Sequence, residues 1–421
     1  MYLLRKCRII ISQRFLSTQI YPDIDTNYYC NSKNVIEIKQ NISRRKGVGN
    51  IDRVLDLFQS LQKPHNDKSY KLLNENLCKE LMLLPNKTHP VVQNYQEDPH
   101  ILHYINQKKD FGSHKPLEFS EICQVLNLIR TDKLGYTCGN KSYYYLGDLA
   151  EYEEALIKYT VAYLLRKGFQ LISVPDIISG DVIRNCGMVL DNQHTQIYSL
   201  DPVLHSPDLY LCGTAELPLA GLLADTTHCI TELPLKLAAV SRCYRAETSN
   251  VVEERGTYRV HQFTKVEMFA VSEADKSDEM LEYIRETQEE LYRPLGLHMK
   301  VLDMPPHELG APAYRKYDIE AWMPGRSLYG EISSCSNCTD YQSRRLKIRY
   351  RDGCEVKYAH TLNGTACAVP RMLIALLETH QHPKGKILIP EVLQPFMNGK
   401  QFIEKNAKIP KLKLLKIKNK I

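Results

Sequence analysis

The sequence predicts an α+β fold, and two stretches carry that reading. Residues 242–269, RCYRAETSNVVEERGTYRVHQFTKVEMF, alternate charged and apolar positions on either side of a charged loop, the pattern of two paired strands. Residues 361–378, TLNGTACAVPRMLIALLE, read as a strand end passing into a helix with Pro370 in its first turn. Proline suits that position because its missing N–H would have been unpaired anyway. At 421 residues, 43% hydrophobic and 25% charged, the chain is long enough for a sizeable core and an accessory module. No apolar run approaches the roughly 18–20 residues of a membrane span, so no membrane partner is expected.

Taken in order, residues 1–22 hold Arg5, Lys6, Arg8 and Arg14 with no acid, interleaved with apolar residues and Ser/Thr. That is the composition of a mitochondrial presequence; Arg8 and Arg14 interrupt the longer apolar stretch that a secretory signal needs. Apolar residues at Val54, Leu55, Leu57, Phe58 and Leu61 suggest one helix, and Leu72, Leu73, Leu77, Leu81 and Leu83 a second, with a break at Lys63, Pro64, His65 and Asn66. Each helix is expected to run about 20–25 residues. In the strand pair, Arg245 and Glu247 share a parity, as do Arg259, His261, Phe263, Lys265 and Glu267, so each set leaves one face of its strand. A polar face there is either solvated or built for a polar ligand.

Next, YGEISSCSNCTDYQSRR (329–345) is a β-type run with Glu331, Ser333 and Ser334 ahead of a Cys/Asn turn. Cys335 and Cys338 lack the second pair that a four-thiolate zinc site requires, and the thirteen cysteines read as reduced thiols. In the last helix Leu373, Ile374, Leu376 and Leu377 form the buried side. Arg371 sits at its N-terminus, where the macrodipole disfavours a cation. A cation placed there needs an anion. Residues 401–421 then carry seven lysines against Glu404, a net +6 that equals the charge of the whole chain. With the presequence contributing +4, the segment between is acidic, and the tail is the expected electrostatic contact to RNA phosphates.

Four patterns stand in sequence: a helix at Tyr152 to Lys167 with a Gly168 stop and FQLISVP ending at Pro175; Thr214-Ala215-Glu216; RxE, a loop and FxKVE at Arg245, Glu247, Phe263 and Glu267; and Asn363, Gly364 and Thr365 followed by Arg371. Together they resemble the motifs of the seryl-tRNA synthetases, which are class II aminoacyl-tRNA synthetases, in the form found in animal mitochondria. The resemblance runs from about Leu84 to about Met397. It implies the class II aminoacyl-tRNA synthetase fold, a mainly antiparallel sheet flanked by helices, with a short N-terminal helical arm. It also implies a homodimer built through the first motif. The domains expected are a presequence at 1–22, a shortened tRNA-binding arm and connection at 23–125, a catalytic domain at 126–400 and a basic tail at 401–421.

The activity this resemblance implies is activation of serine with ATP and Mg²⁺ to seryl-adenylate, then transfer to mitochondrial tRNA(Ser) in the matrix. Such chemistry rests on positioning and charge stabilisation, for which the planar fork of arginine suits phosphate and carboxylate oxygens. By resemblance Arg245 and Arg371 are the catalytic pair, Arg245 bridging the α-phosphate and the serine carboxylate and Arg371 holding the γ-phosphate. Glu247 reads the adenine amino group and Phe263 stacks on the base, a contact of about 1–3 kcal/mol. Glu331 and Ser334 hold Mg²⁺ and ATP; their opposite strand parity requires a bulge or a strand end. Thr214 and Glu267 take serine's ammonium, Thr365 with Glu267 reads its hydroxyl, and Glu216 and Asn363 complete the amino-acid site. A site built to bond a hydroxyl rejects an analogue without one by roughly 10⁴–10⁵. The alternatives are a non-catalytic synthetase-like paralogue that binds RNA or regulates, and a class II enzyme for threonine or proline. The intact ATP residues speak against the first, and the TAE signature with LNGT against the second.

Each neutralised phosphate contributes roughly 0.7–0.9 to the slope of log affinity against log salt. Deleting residues 405–421 should therefore weaken tRNA binding and flatten its salt dependence while leaving serine-dependent pyrophosphate exchange nearly unchanged. An identical affinity and slope in the truncated chain would reduce the tail to a solvated extension.

Overall fold

Eight strands share one sheet: β1 His100–Ile105, β2 Gln170–Leu171, β3 Leu235–Tyr244, β4 Gln262–Ser272, β5 Met299–Asp303, β6 Arg315–Met323, β7 Leu328–Asn337 and β8 His360–Ala368. They lie in a computed structural model that describes residues 22–64, 66–131, 137–190, 196–205, 208–248 and 256–410. The presequence, apart from Pro22, and the tail beyond Pro410 fall outside the described residues. Across the sheet the order is β1-β5-β6-β7-β8-β4-β3-β2. Every pairing is antiparallel except β2 with β3.

Strand β4 shows why the sheet has two different faces. From Thr264 to Ser272 it is buried throughout. Its even positions Val266, Met268 and Ala270 join one core with Tyr152 and Leu156, Leu281 and Ile284, and Met372 and Leu376. Those partners belong to helices α4 Asp148–Arg166, α6 Ser277–Tyr292 and α7 Val369–His380. Its odd positions Phe269 and Val271 join a second core with Leu217 and Leu219 of α5 Glu216–Leu222. The period of two thus sends Phe263, Lys265 and Glu267 to the side of α5, away from the large helical layer.

The first motif folds as a helix and a short edge strand. After α4, Gly168 takes φ +80°, a conformation that favours glycine. Strand β2 is only two residues long, although the pairing continues as Ile172 N–H donates to Ala238 O at 2.8 Å. FQLISVP is therefore strand over a smaller part than its sequence suggests, and Pro175 has no N–H with which to extend the ladder.

The arm consists of α1 Val35–Arg44, α2 Ile51–Leu61 and α3 Asp67–Leu83. The predicted helix pair is present, but α2 has 11 residues and α3 has 17, both shorter than expected. Gly47 and Gly49, at φ +68° and +105°, separate α1 from α2, and Asn50 caps α2 by accepting from Arg53 N–H at 3.1 Å. A side chain at Gly49 would also strike Leu84 Cδ2 at 2.9 Å. Helix α1 gave little sequence signal because its buried stripe is only Ile38 and Ile42 while Ile36 is exposed. Arg45 bolts the arm to the body, donating to the carbonyls of Asn86 at 2.8 Å and of Gly310. Among the described residues no helix is long and apolar enough to cross a membrane.

Gly364 occupies the middle of β8, where a Cβ would meet Ile284 Cγ2 at 2.6 Å and Cys335 Cβ at 3.1 Å. Overpacking of this kind costs about 1–3 kcal/mol. Gly364→Ala is expected to lose that much in urea denaturation, and a loss of only a few tenths would mean that α6 gives way freely.

Candidate active site

A cleft opens where the loop after β3, the start of β4, the strands β7 and β8 and the first turn of α7 converge. Arg245 and Glu247 lie just beyond the end of β3 rather than within it, although Arg245 N–H still donates to His261 O at 2.9 Å. The Arg245 guanidinium lies over the Phe263 ring, 5.2 Å from its centroid. Glu247 is buried, 3.7 Å from Arg259 Nη1, and its Oε2 accepts no hydrogen bond from the described residues. A buried acceptor of this kind has capacity for a donor from a ligand.

Arg371 is the third residue of α7, and the anion that its position calls for is Glu331. Nη1 donates to Glu331 Oε2 at 3.1 Å and to its carbonyl at 3.1 Å, while the guanidinium stacks 4.5 Å from the centre of Tyr258. Burial pushes the Glu331 carboxyl up, but the charges of Arg371 and Lys316 outweigh it and hold the group below its ordinary range.

The parity conflict between Glu331 and Ser334 is resolved by a bulge. Glu331 pairs with Glu320 and Ser333 with Ile319, leaving Ile332 as the extra residue on β7. Glu331 and Ser334 then share the face of Glu320 and Asp318, and both line the cleft. Ser333 also borders the cleft and donates to Thr365 O at 2.6 Å. A carboxylate and a hydroxyl side by side suit Mg²⁺, which keeps several waters and takes the rest of its oxygens from substrate phosphates. Among the described residues no group of three or more His, Cys, Asp or Glu that could hold a metal ion gathers.

Beside Arg245 the wall continues to a buried polar layer. Lys265 lines the cleft, donates to Thr214 Oγ1 at 2.7 Å and forms an ion pair with Glu267 Oε2. Thr365 lies opposite Glu267 in the β8–β4 ladder, and its carbonyl also accepts from Gln288 Nε2 at 2.9 Å and Tyr292 Oη at 3.1 Å. Glu216 accepts from Gln342 Nε2 at 2.7 Å; burial raises its carboxyl, with Gln342 opposing. Asn363 Nδ2 donates to Cys338 Sγ at 3.6 Å, and burial pushes that thiol well above its ordinary range.

Of the residues singled out from the sequence, Arg245, Glu247, Phe263, Glu331, Ser334, Thr365 and Arg371 form the cleft wall. Thr214, Glu216, Glu267 and Asn363 do not line it and lie behind it instead. The structure adds Lys265, to which the sequence assigns a face but no role, and Tyr258. The signal for Lys265 was its shared parity with Glu267; Tyr258 lies in the loop, where no periodicity marks it.

Such a sheet with such a cleft defines a class II synthetase core. The sequence profile described as the tRNA synthetase class II core domain (G, H, P, S and T) matches residues 203–380. The chain is 40% identical over 345 residues to the serine–tRNA ligase of Rubrobacter xylanophilus, covering 81% of this chain and 80% of that protein. It is 46% identical over 329 residues to the mitochondrial serine–tRNA ligase of Bos taurus, covering 77% of this chain and 63% of the bovine one. The chain thus spans about 63% of the length of the bovine and mouse relatives. The crystal structure of seryl-tRNA synthetase from Pyrococcus horikoshii complexed with ATP superposes with a TM-score of 0.81 at 28% identity, over 89% of this chain and 99% of that one. The cytoplasmic serine–tRNA ligase of Naegleria fowleri in complex with AMP gives 0.81 at 27%, over 92% and 100%. The chain belongs to the seryl-tRNA synthetase family.

Burial raises the Asp318 carboxyl to about 7, with Lys316 opposing and Glu331 adding to the rise. Unfolded, the same group titrates at about 3.9. Between those values the folded state holds a proton that the unfolded state lacks, so stability falls as pH rises through this window. Asp318→Asn should flatten that fall, read as urea midpoints at pH 5 and pH 7.5; an unchanged pH slope would assign the dependence to other groups.

Proposed function

We propose that the chain activates serine with ATP to seryl-adenylate and transfers the seryl group to mitochondrial tRNA(Ser). One observation carries this reading: Arg245 and Arg371, from segments far apart in sequence, face one cleft with Glu331 and Ser334 on its wall, and the Thr214–Lys265–Glu267 layer adjoins it. A serine carboxylate oxygen attacks the α-phosphorus and pyrophosphate leaves; a terminal ribose hydroxyl of tRNA then attacks the acyl carbon and AMP leaves. Both steps build charge on oxygens, and fixed guanidinium donors in a partly enclosed site stabilise it.

In this reading Arg245 holds the α-phosphate and the serine carboxylate, and Arg371 exchanges Glu331 for the γ-phosphate. Glu247, with its free buried acceptor, takes the adenine amino group, and Phe263 stacks on the base. Glu331 and Ser334 would hold Mg²⁺, which would supply positive charge to offset that of the phosphates. Thr214 and Glu267 bind the ammonium, Thr365 with Glu267 reads the hydroxyl, and Glu216 and Asn363 support that layer from behind. The amino-acid pocket has little area to offer a substrate this small, so hydrogen bonding has to supply the discrimination.

The arm and connection at 23–125 would meet tRNA, and 126–400 would form the catalytic domain. A homodimer through the first motif is supported by exposed apolar side chains there, Leu165 and Leu171 being 50% and 45% exposed. The presequence composition and the mitochondrial relatives support action in the mitochondrial matrix.

Amino-acid-dependent ATP–pyrophosphate exchange tests the function. Serine alone among serine, threonine, alanine and proline should support it. In the same assay Arg371→Ala should lose at least about two orders of magnitude, the scale of removing one fixed transition-state donor. Near-normal exchange in that variant would remove Arg371 from the site.

A further inference from the structure

We propose that Lys265 is a stand-in for the substrate's ammonium group, filling the place between Thr214 and Glu267 until serine displaces it, an inference that rests on the assignment of those two residues to serine. The Lys265 ammonium donates to Thr214 Oγ1 at 2.7 Å and pairs with Glu267 Oε2. These are the two groups assigned to serine's own ammonium. The two cations are chemically alike: each is a compact –NH₃⁺ with three donors and no acceptor.

The physical need for a stand-in follows from burial. The Lys265 and Glu267 side chains are 7% and 3% exposed. A carboxylate that deep with no counter-charge is strongly unfavourable, so a site shaped only for substrate would be unstable when empty. Lys265 lies two residues from Glu267 on the same face of β4, and its side chain also borders the cleft. Its flexible four-carbon stem lets the ammonium swing into the cleft without moving the backbone. Serine entry is then an exchange of one ammonium for another, and the Glu267 charge is never left unpaired. The exchange lowers serine affinity, and it selects for a primary ammonium, because a neutral or N-acylated analogue cannot replace the charge that leaves.

The test is calorimetric titration of the full chain with serine, with ethanolamine, which keeps the amine and hydroxyl but lacks the carboxylate, and with ATP. Lys265→Met removes the competitor and should tighten serine on the order of tenfold, because Glu267 then waits unpaired for a cation. Ethanolamine should improve in the same direction, and ATP affinity should change far less. Lys265→Arg, whose fork grips a carboxylate more firmly, should weaken serine instead. Weaker serine binding in Lys265→Met would mean that Lys265 touches the bound substrate, and the proposal would fall. Unaltered serine affinity in Lys265→Arg would overturn it equally, and that variant decides alone if the Met variant does not fold. A parent chain that binds no serine would instead remove the assignment of the site, and the exchange with it.

Discussion

Strand β4 is hydrogen-bonded on both sides, to β3 and to β8, and the geometry of the cleft depends on that double ladder. Glu267 is fixed opposite Ala239 on one side and Thr365 on the other, so the polar layer behind the cleft has no freedom to slip. A shift by one residue would send Lys265 and Glu267 into the helical layer and Val266 and Met268 into the polar one. Two apolar cores, one on each face, make such a slip prohibitive. The Thr365 carbonyl, held by Gln288, Tyr292 and Ser333, ties the same level of the sheet to α6 and β7.

The charged groups of the site are matched to one another within the chain. Arg371 meets Glu331, Lys265 meets Glu267, Lys316 meets Asp318 and Arg259 meets Glu247. Lys265–Glu267 is buried on both sides, and breaking a pair of that kind leaves a charge that costs about 3–5 kcal/mol; the other three each keep one partly exposed partner and are worth less. A site arranged this way stays folded when empty. Under the proposed function, ligand binding becomes an exchange of partners, in which a substrate phosphate or ammonium takes over a contact that a side chain already satisfies.

The arm obeys a different constraint. Its helices form a small core of their own, with Ile51, Val54, Leu77 and Leu81 at the centre, and the link to the body is polar, through Arg45, Asn86 and neighbouring carbonyls. Helices of 11 and 17 residues reach about 17 and 26 Å at the usual helical rise, a short lever for the RNA contact proposed for the arm.

The sequence alone determined which side chains share a face, because a strand's period of two is fixed by backbone stereochemistry: Phe263, Lys265 and Glu267 could be grouped before any contact was known. It also called for an anion at Arg371, since the field at a helix N-terminus is set by the helix itself. Pro370 and Gly168 marked a helix start and a helix stop for similarly local reasons. Only the tertiary structure decided that the anion is Glu331, forty residues earlier, and that a bulge at Ile332 turns Glu331 and Ser334 to one side. Bulges answer to the neighbouring strand rather than to local propensity. The lengths of the arm helices, the position of Tyr258 under Arg371 and the occupation of the Thr214–Glu267 site by Lys265 were decided in the same way. Each depends on a partner distant in sequence, and distance in space is not written in the order of residues.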